Sequence, residues 1–157
     1  MKLRILGLCL ALFFMSCDDD DPCGGVIADV LTQTLYVSFE NANGDNLIAD
    51  GTISTSAIFT EFNGFRSPGL IFDDSLENVP ESLRHQLQIP VVGEEDTDNT
   101  WAIELSATET DTLILRLRVE SEGCSGRFYE ILGVTYNGQP STVIDLGDNN
   151  YQIRVVK

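Results

Sequence analysis

From Leu31 onward, apolar side chains recur at every second position rather than every third or fourth, and turn residues interrupt them at roughly ten-residue intervals. Leu35, Val37 and Phe39 alternate with Tyr36, Ser38 and Glu40, the pattern of a half-buried strand ended by the turn chemistry of Asn41 to Asp45. Ile53 to Phe62 is a second β-rich stretch ended by Asn63-Gly64, and Leu70-Ile71-Phe72 is a short apolar one. Leu83, His85, Leu87 and Ile89 share one phase. Trp101, Ile103, Leu105 and Ala107 share another, and Leu113, Leu115, Leu117 and Val119 a third, with a turn predicted over Thr108 to Asp111. Phe128 to Tyr136 runs into Asn137-Gly138, a strong hairpin signal, and Gly147 to Asn150 joins Thr142–Leu146 to Tyr151–Val156. Only Asn78 to Arg84 hints at a helical turn. About nine strands without an amphipathic helix predict an all-β chain. The expected fold is a single antiparallel β-sandwich, immunoglobulin-like or similar, with a small barrel as the alternative.

The first 21 residues follow different rules. Lys2 and Arg4 precede an uncharged apolar run, Ile5 to Met15, which ends in Ser16-Cys17 and four aspartates, Asp18 to Asp21. An apolar core of about 11 residues suits a signal peptide, and it falls well short of the roughly 20 needed to span a bilayer as a helix. The stretch resembles a bacterial lipoprotein signal, in which a small residue precedes the cysteine that is acylated. Phe14 and Met15 depart from the common lipobox, and this relaxed form with acids directly after the cysteine resembles small Bacteroidota-type cell-surface lipoproteins. The resemblance implies acylation of Cys17 and display at the outer membrane, with the outer cell surface favoured. It divides the chain into a signal peptide (1–16), a lipid anchor with an acidic tether (17–25) and a β-sandwich domain (26–157). More than one acyl chain holds a protein stably, and the aspartates form a solvated spacer.

Charge and cysteines narrow the partners. The chain carries 9 basic and 25 acidic side chains, net −16. Loss of residues 1–16 deletes Lys2 and Arg4 and no acid, which moves the net charge to −18. Nucleic acid is excluded as a partner, because its binding depends on Lys and Arg neutralising phosphates. With Cys9 in the leader and Cys17 acylated, Cys23 and Cys124 remain and form the expected disulfide in an oxidising compartment. The loop closed is about 100 residues, for which chain entropy gives on the order of 4–5 kcal/mol. A single histidine and the lack of a CxxC motif leave no zinc site, and no metal or cofactor is expected.

Candidate chemistry is sparse. His85 lies in phase with Leu83 and Leu87, which favours a structural position. The small-Ser-small elbow of hydrolases is absent, so no catalytic residue is assigned. Glu94 to Asn99 and Asn41 to Asn46 cluster oxygen ligands suited to calcium, but solvated acidic turns explain them better. Asp74-Ser75-Leu76 and Asp111-Thr112-Leu113 resemble the O-glycan acceptor sites of Bacteroidota-type exported proteins, which implies modification at Ser75 and Thr112. Phe62, Phe65 and Phe72 around Pro68-Gly69 are the densest aromatic patch, either core or the floor of a carbohydrate or peptide site; Tyr129 and Tyr136 share that ambiguity. The expected function is a membrane-anchored envelope lipoprotein acting as a non-enzymatic binding module for a glycan or an envelope protein. Alternatives are an acidic inhibitor of a cationic enzyme such as a lysozyme, and a carboxylate-dependent hydrolase.

Overall fold

The computed structural model describes residues 33–123 and 126–157, without the side chains of 121–126. The leader, the aspartate run, Cys17, Cys23 and Cys124 lie outside the described residues. Eleven strands follow in chain order: β1 (Thr34–Glu40), β2 (Phe59–Phe62), β3 (Phe65–Pro68), β4 (Leu70–Ile71), β5 (Leu87–Pro90), β6 (Asp98–Ser106), β7 (Glu109–Gly123), β8 (Gly126–Tyr136), β9 (Gln139–Ser141), β10 (Ile144–Gly147) and β11 (Asn150–Val156). They build two sheets, ordered β10-β11-β1-β5-β4 and β3-β2-β6-β7-β8-β9. The fold is an all-β sandwich, with short edge strands bringing the number above nine.

Period-two alternation explains the core. Leu35, Val37, Phe39, Leu87, Ile89 and Ile153 from the first sheet meet Ile103, Leu105, Leu113, Leu115 and Leu117 from the second in one buried cluster. Each such side chain contributes about 1.5–3 kcal/mol by leaving water. Neighbouring strands are antiparallel throughout, apart from β1 and β11, which run parallel from Thr34↔Asn150 to Glu40↔Val156. A parallel pair needs a long crossover, and here all the intervening chain supplies it.

Several details differ from the sequence expectation. In β1, Tyr36 and Ser38 are buried along with the core-facing residues. The chain between β4 and β5 folds over that face, where buried Gln152 Nε2 donates to Gln86 Oε1 (2.9 Å) and Gln86 Nε2 to the Ser82 carbonyl (2.5 Å). Leu83 closes a 3-10 turn, Glu81–Leu83, so β5 begins only at Leu87. His85 itself has φ 56° and belongs to no strand. The β6–β7 turn is Ala107-Thr108, shorter than predicted, which puts Thr112 inside β7 opposite Ala102. Ala107, expected to continue the Trp101 face, is exposed in that turn.

Asn63-Gly64 does not merely end a strand. With φ 50° and 79° it forms a two-residue turn into β3, as Asn137-Gly138 (φ 46° and 76°) does into β9. Both have positive φ at two successive positions, which Asn tolerates and Gly accepts freely.

Candidate functional site

Gly69 carries the chain from β3 in one sheet to β4 in the other. Its N–H donates to the Ile58 carbonyl (2.9 Å). A Cβ there would lie 2.6 Å from Ile58 Cγ2 and 3.0 Å from Leu87 Cδ1, so the close approach requires glycine. Beside this crossover opens a cleft of about 370 Å³. Thr60, Ser67, Pro68 and Trp101 line it from one sheet, and Thr34, Leu70, Gln88 and Pro90 from the other. Pairing assembles these positions from distant parts of the sequence: Thr60 lies opposite Ser67, Leu70 opposite Gln88, and Thr34 opposite Pro90. No lining side chain is charged.

Two lining residues carry a buried N–H donor with no hydrogen-bond partner among the described residues, Trp101 Nε1 and Gln88 Nε2. Nearly all buried polar groups in native proteins are paired, and an unpaired one costs about 1–3 kcal/mol. Trp101 is only 7% exposed, and its ring stacks on Phe62 with centroids 4.5 Å apart and planes 14° apart. Phe62 lies opposite Phe65 across the β2–β3 turn, so Phe65 shares the face of Trp101, Thr60 and Ser67. Phe65 is 83% exposed. The aromatic patch of the sequence therefore separates into a half-buried Phe62, a half-buried Phe72 and an unpacked Phe65 beside the cleft.

A second concavity, about 440 Å³, lies against Tyr136, Asn137, Arg154 and Lys157. Next to it, the buried Asp111 accepts from Tyr136 Oη (2.5 Å), Asn137 Nδ2 (2.7 Å) and Lys157 Nζ. Lys157 Nζ also donates to Glu109 Oε1 (2.7 Å), and its main-chain N–H to the Glu40 carbonyl (2.9 Å). Burial pushes the Asp111 carboxyl up, but the bonds from Lys157, Tyr136 and Asn137 outweigh it and leave its pKa below the ordinary value. Burial pulls the Lys157 ammonium down, and its two carboxylate partners outweigh that and raise it. Burial, reinforced by Asp111, drives the Tyr136 phenol far above the ordinary tyrosine range. Three donors engage both oxygens of the carboxylate, so the cluster clasps the end of β11 to the β7–β8 hairpin.

Other sequence candidates fall as follows. Ser75 is exposed in a turn, its hydroxyl bonded to Asp73 Oδ1 (2.5 Å). Thr112 is exposed on β7, with its N–H donating to Asn137 Oδ1 (2.8 Å). His85 Nε2 lies 3.1 Å from Asp74 Oδ1, and the His85 N–H donates to the Phe72 carbonyl (2.7 Å), bracing the loop before β5. In the acidic turn, Asn99 Oδ1 accepts from the Glu94 N–H (2.8 Å), Glu95 Oε1 accepts from the Val119 N–H (3.0 Å), and Asp98 pairs with Arg116 (3.0 Å). In the other, Asn41 Oδ1 accepts from the N–H groups of Asn43 and Asp45. Among the described residues, no group of three or more His, Cys, Asp or Glu is placed to hold a metal, and no helix is long and apolar enough to cross a membrane.

Two features escaped the sequence reading. The cleft draws on strands far apart in the chain, and no local pattern marks it; Trp101 reads as core. Asp111 did leave a signal, being an acid in phase with Leu113, Leu115 and Leu117. Compared with known proteins, the chain matches no family model, no curated protein and no solved structure.

Proposed function

We propose that this chain is a lipid-anchored envelope protein whose sandwich acts as a non-enzymatic binding module, with the cleft beside the β3–β4 crossover as its ligand site. The observation that carries this reading is the pair of buried, unpartnered donors on Trp101 and Gln88, both in residues that line one uncharged cleft. Both atoms are covered in the ligand-free chain, so the reading is of a site whose lining side chains give way for a ligand that supplies the missing acceptor. Asp111, the buried carboxylate, has both oxygens engaged, which favours binding over hydrolysis. The leader supplies the address: cleavage before Cys17, acylation of that thiol, and Asp18 to Asp21 as a spacer that keeps the domain clear of the bilayer at the cell surface. Cys23 and Cys124 form the cross-link of the exported protein.

Trp101 is the only tryptophan in the chain, so its emission reports on the cleft without labelling. The purified full-length protein is screened against neutral and acidic oligosaccharides, peptides and acylglycerols, with emission and Tm read together. At least one class shifts both, and Ser67→Phe, a bulky change at an exposed position of β3, keeps the fold and abolishes the response. A panel in which no compound changes emission or Tm, or a Ser67→Phe variant that responds like wild type, overturns the proposal.

A further inference from the structure

We infer that the cleft takes a neutral saccharide, with Phe65 as the stacking platform for a ring at its mouth. The inference rests on reading the cleft as a ligand site and names its ligand class. Charge, hydrogen-bonding chemistry, size and shape favour a sugar. No charged side chain lines the cleft, so an ionised ligand group would be buried there unpaired. The nearby Arg66 does not supply a cation, because it is engaged by Glu104 (2.9 Å) and lies over the Phe59 ring at 3.6 Å. The net charge of −16 further disfavours anions.

The polar groups present are hydroxyls, an amide and an indole N–H. Thr60 Oγ1 and Ser67 Oγ lie 3.3 Å apart, and each hydroxyl can donate and accept, which matches a polyol. Pro68, Leu70 and Pro90 offer apolar surface to the C–H face of a sugar ring. A volume of about 370 Å³ is at the small end of ligand sites and suits a mono- to disaccharide unit. Phe65, 83% exposed on the same face as Ser67, leaves an aromatic ring free for the next ring of a chain.

A peptide is the competing ligand, and the sheet edge disfavours it. Extended peptides bind by adding a strand to a free edge through main-chain hydrogen bonds. In β3 the pair Phe62↔Phe65 flanks a two-residue turn, and the Gly69 N–H still bonds Ile58, so Phe65, Ser67 and Gly69 face β2. The outward positions are then Arg66 and Pro68, and proline has no N–H to offer. That edge presents a single main-chain donor.

The test follows the indole Nε1–H cross-peak of Trp101 in the full-length protein, labelled with 15N. Probes are cellotetraose, xylotetraose and the N-acetylglucosamine trimer as neutral sugars, tetragalacturonate as an acidic one, and a twelve-residue proline-rich peptide. A neutral sugar is expected to move the peak saturably. Phe65→Ala should weaken that sugar by about tenfold while leaving the unliganded peak where it is. Movement by tetragalacturonate or the peptide with none by the neutral sugars overturns the saccharide assignment and leaves the cleft a binding site. A neutral sugar that binds Phe65→Ala as tightly as wild type overturns the platform. Silence from every probe overturns the inference, and the wider panel described above then decides separately whether the cleft binds anything.

Discussion

Asp111 occupies a position where the apolar stripe of β7 would otherwise continue, and its surroundings explain why a charge is tolerated there. Three donors reach its carboxylate from β8, from the Asn137 turn and from Lys157 at the end of β11. Asp111→Ala leaves Tyr136 Oη and Asn137 Nδ2 without this acceptor and takes one of two partners from Lys157. The expected loss is about 3 kcal/mol, read as a lower urea midpoint at unchanged slope. Tyr136→Phe removes one bond to a charged acceptor and should cost about 1.5–2 kcal/mol. The pH dependence follows from the shifts. Asp111 has a native pKa below its ordinary 3.8, so its contribution is complete above that value and is lost as pH falls through the lowered native pKa. Tyr136 and Lys157 have native pKa values above their ordinary 10.0 and 10.5, so theirs is complete below pH 10 and lost as pH rises above it. Stability measured against pH should therefore lose the clasp on both flanks, and Asp111→Ala should flatten the acid one.

At the level of strands, the outermost strand at each end of the two sheets is short or interrupted. β4 has two residues, β10 pairs with β11 through a register shift at Asp145/Gly147, and β3 and β9 each contain a proline. In both hairpins closed by Asn-Gly, the proline falls on a position whose N–H would point away from the partner strand: Pro68 in β3 and Pro140 in β9. Gln33 tends one further stretch of edge, because its side-chain amide takes the Tyr129 N–H (2.7 Å) and donates to the Tyr129 carbonyl (2.8 Å) where β9 no longer covers β8. Such edges resist pairing with other chains. Pro68→Val combined with Pro140→Val restores two outward N–H groups. It should give concentration-dependent dimers or aggregates in light scattering, where wild type stays at a constant mass.

The same strands mark the limit of the sequence reading. β6, β7, β8 and β11 were legible because one face is buried and the other wet, which writes alternation into the chain. Phe65-Arg66-Ser67-Pro68 is exposed throughout, so nothing alternates and β3 was missed. β1 was legible as a strand but not as one buried on both faces, since its cover comes from a loop more than forty residues away in the sequence.

At the scale of the molecule, most acids among the described residues are exposed, while the described cations are mostly taken up in pairs such as Arg66–Glu104, Arg116–Asp98 and Arg118–Glu130. Exposed pairs of this kind add little stability, so their effect is on the field that partners meet. The proposed address and cross-link rest on the leader and on cysteine arithmetic, in residues outside those described. The cleft was not legible, because Thr34, Ser67, Gln88 and Trp101 come to line one cavity only once two sheets bring them together. Mass spectrometry of the native protein is expected to find a chain that starts at an acylated Cys17, with Cys23 joined to Cys124 in non-reducing peptide maps. An intact, unlipidated Met1 with alkylatable thiols would remove the anchor and the cross-link.

The cleft itself is tested most directly by crystals of the full-length protein, free and soaked with the compound that shifts Trp101 emission most. The account predicts that both donors lack protein acceptors in the free crystal. In the soaked one, ligand oxygen should lie within hydrogen-bond distance of Trp101 Nε1 or Gln88 Nε2. A ligand bound elsewhere, or both donors already satisfied by protein atoms without it, would contradict the account.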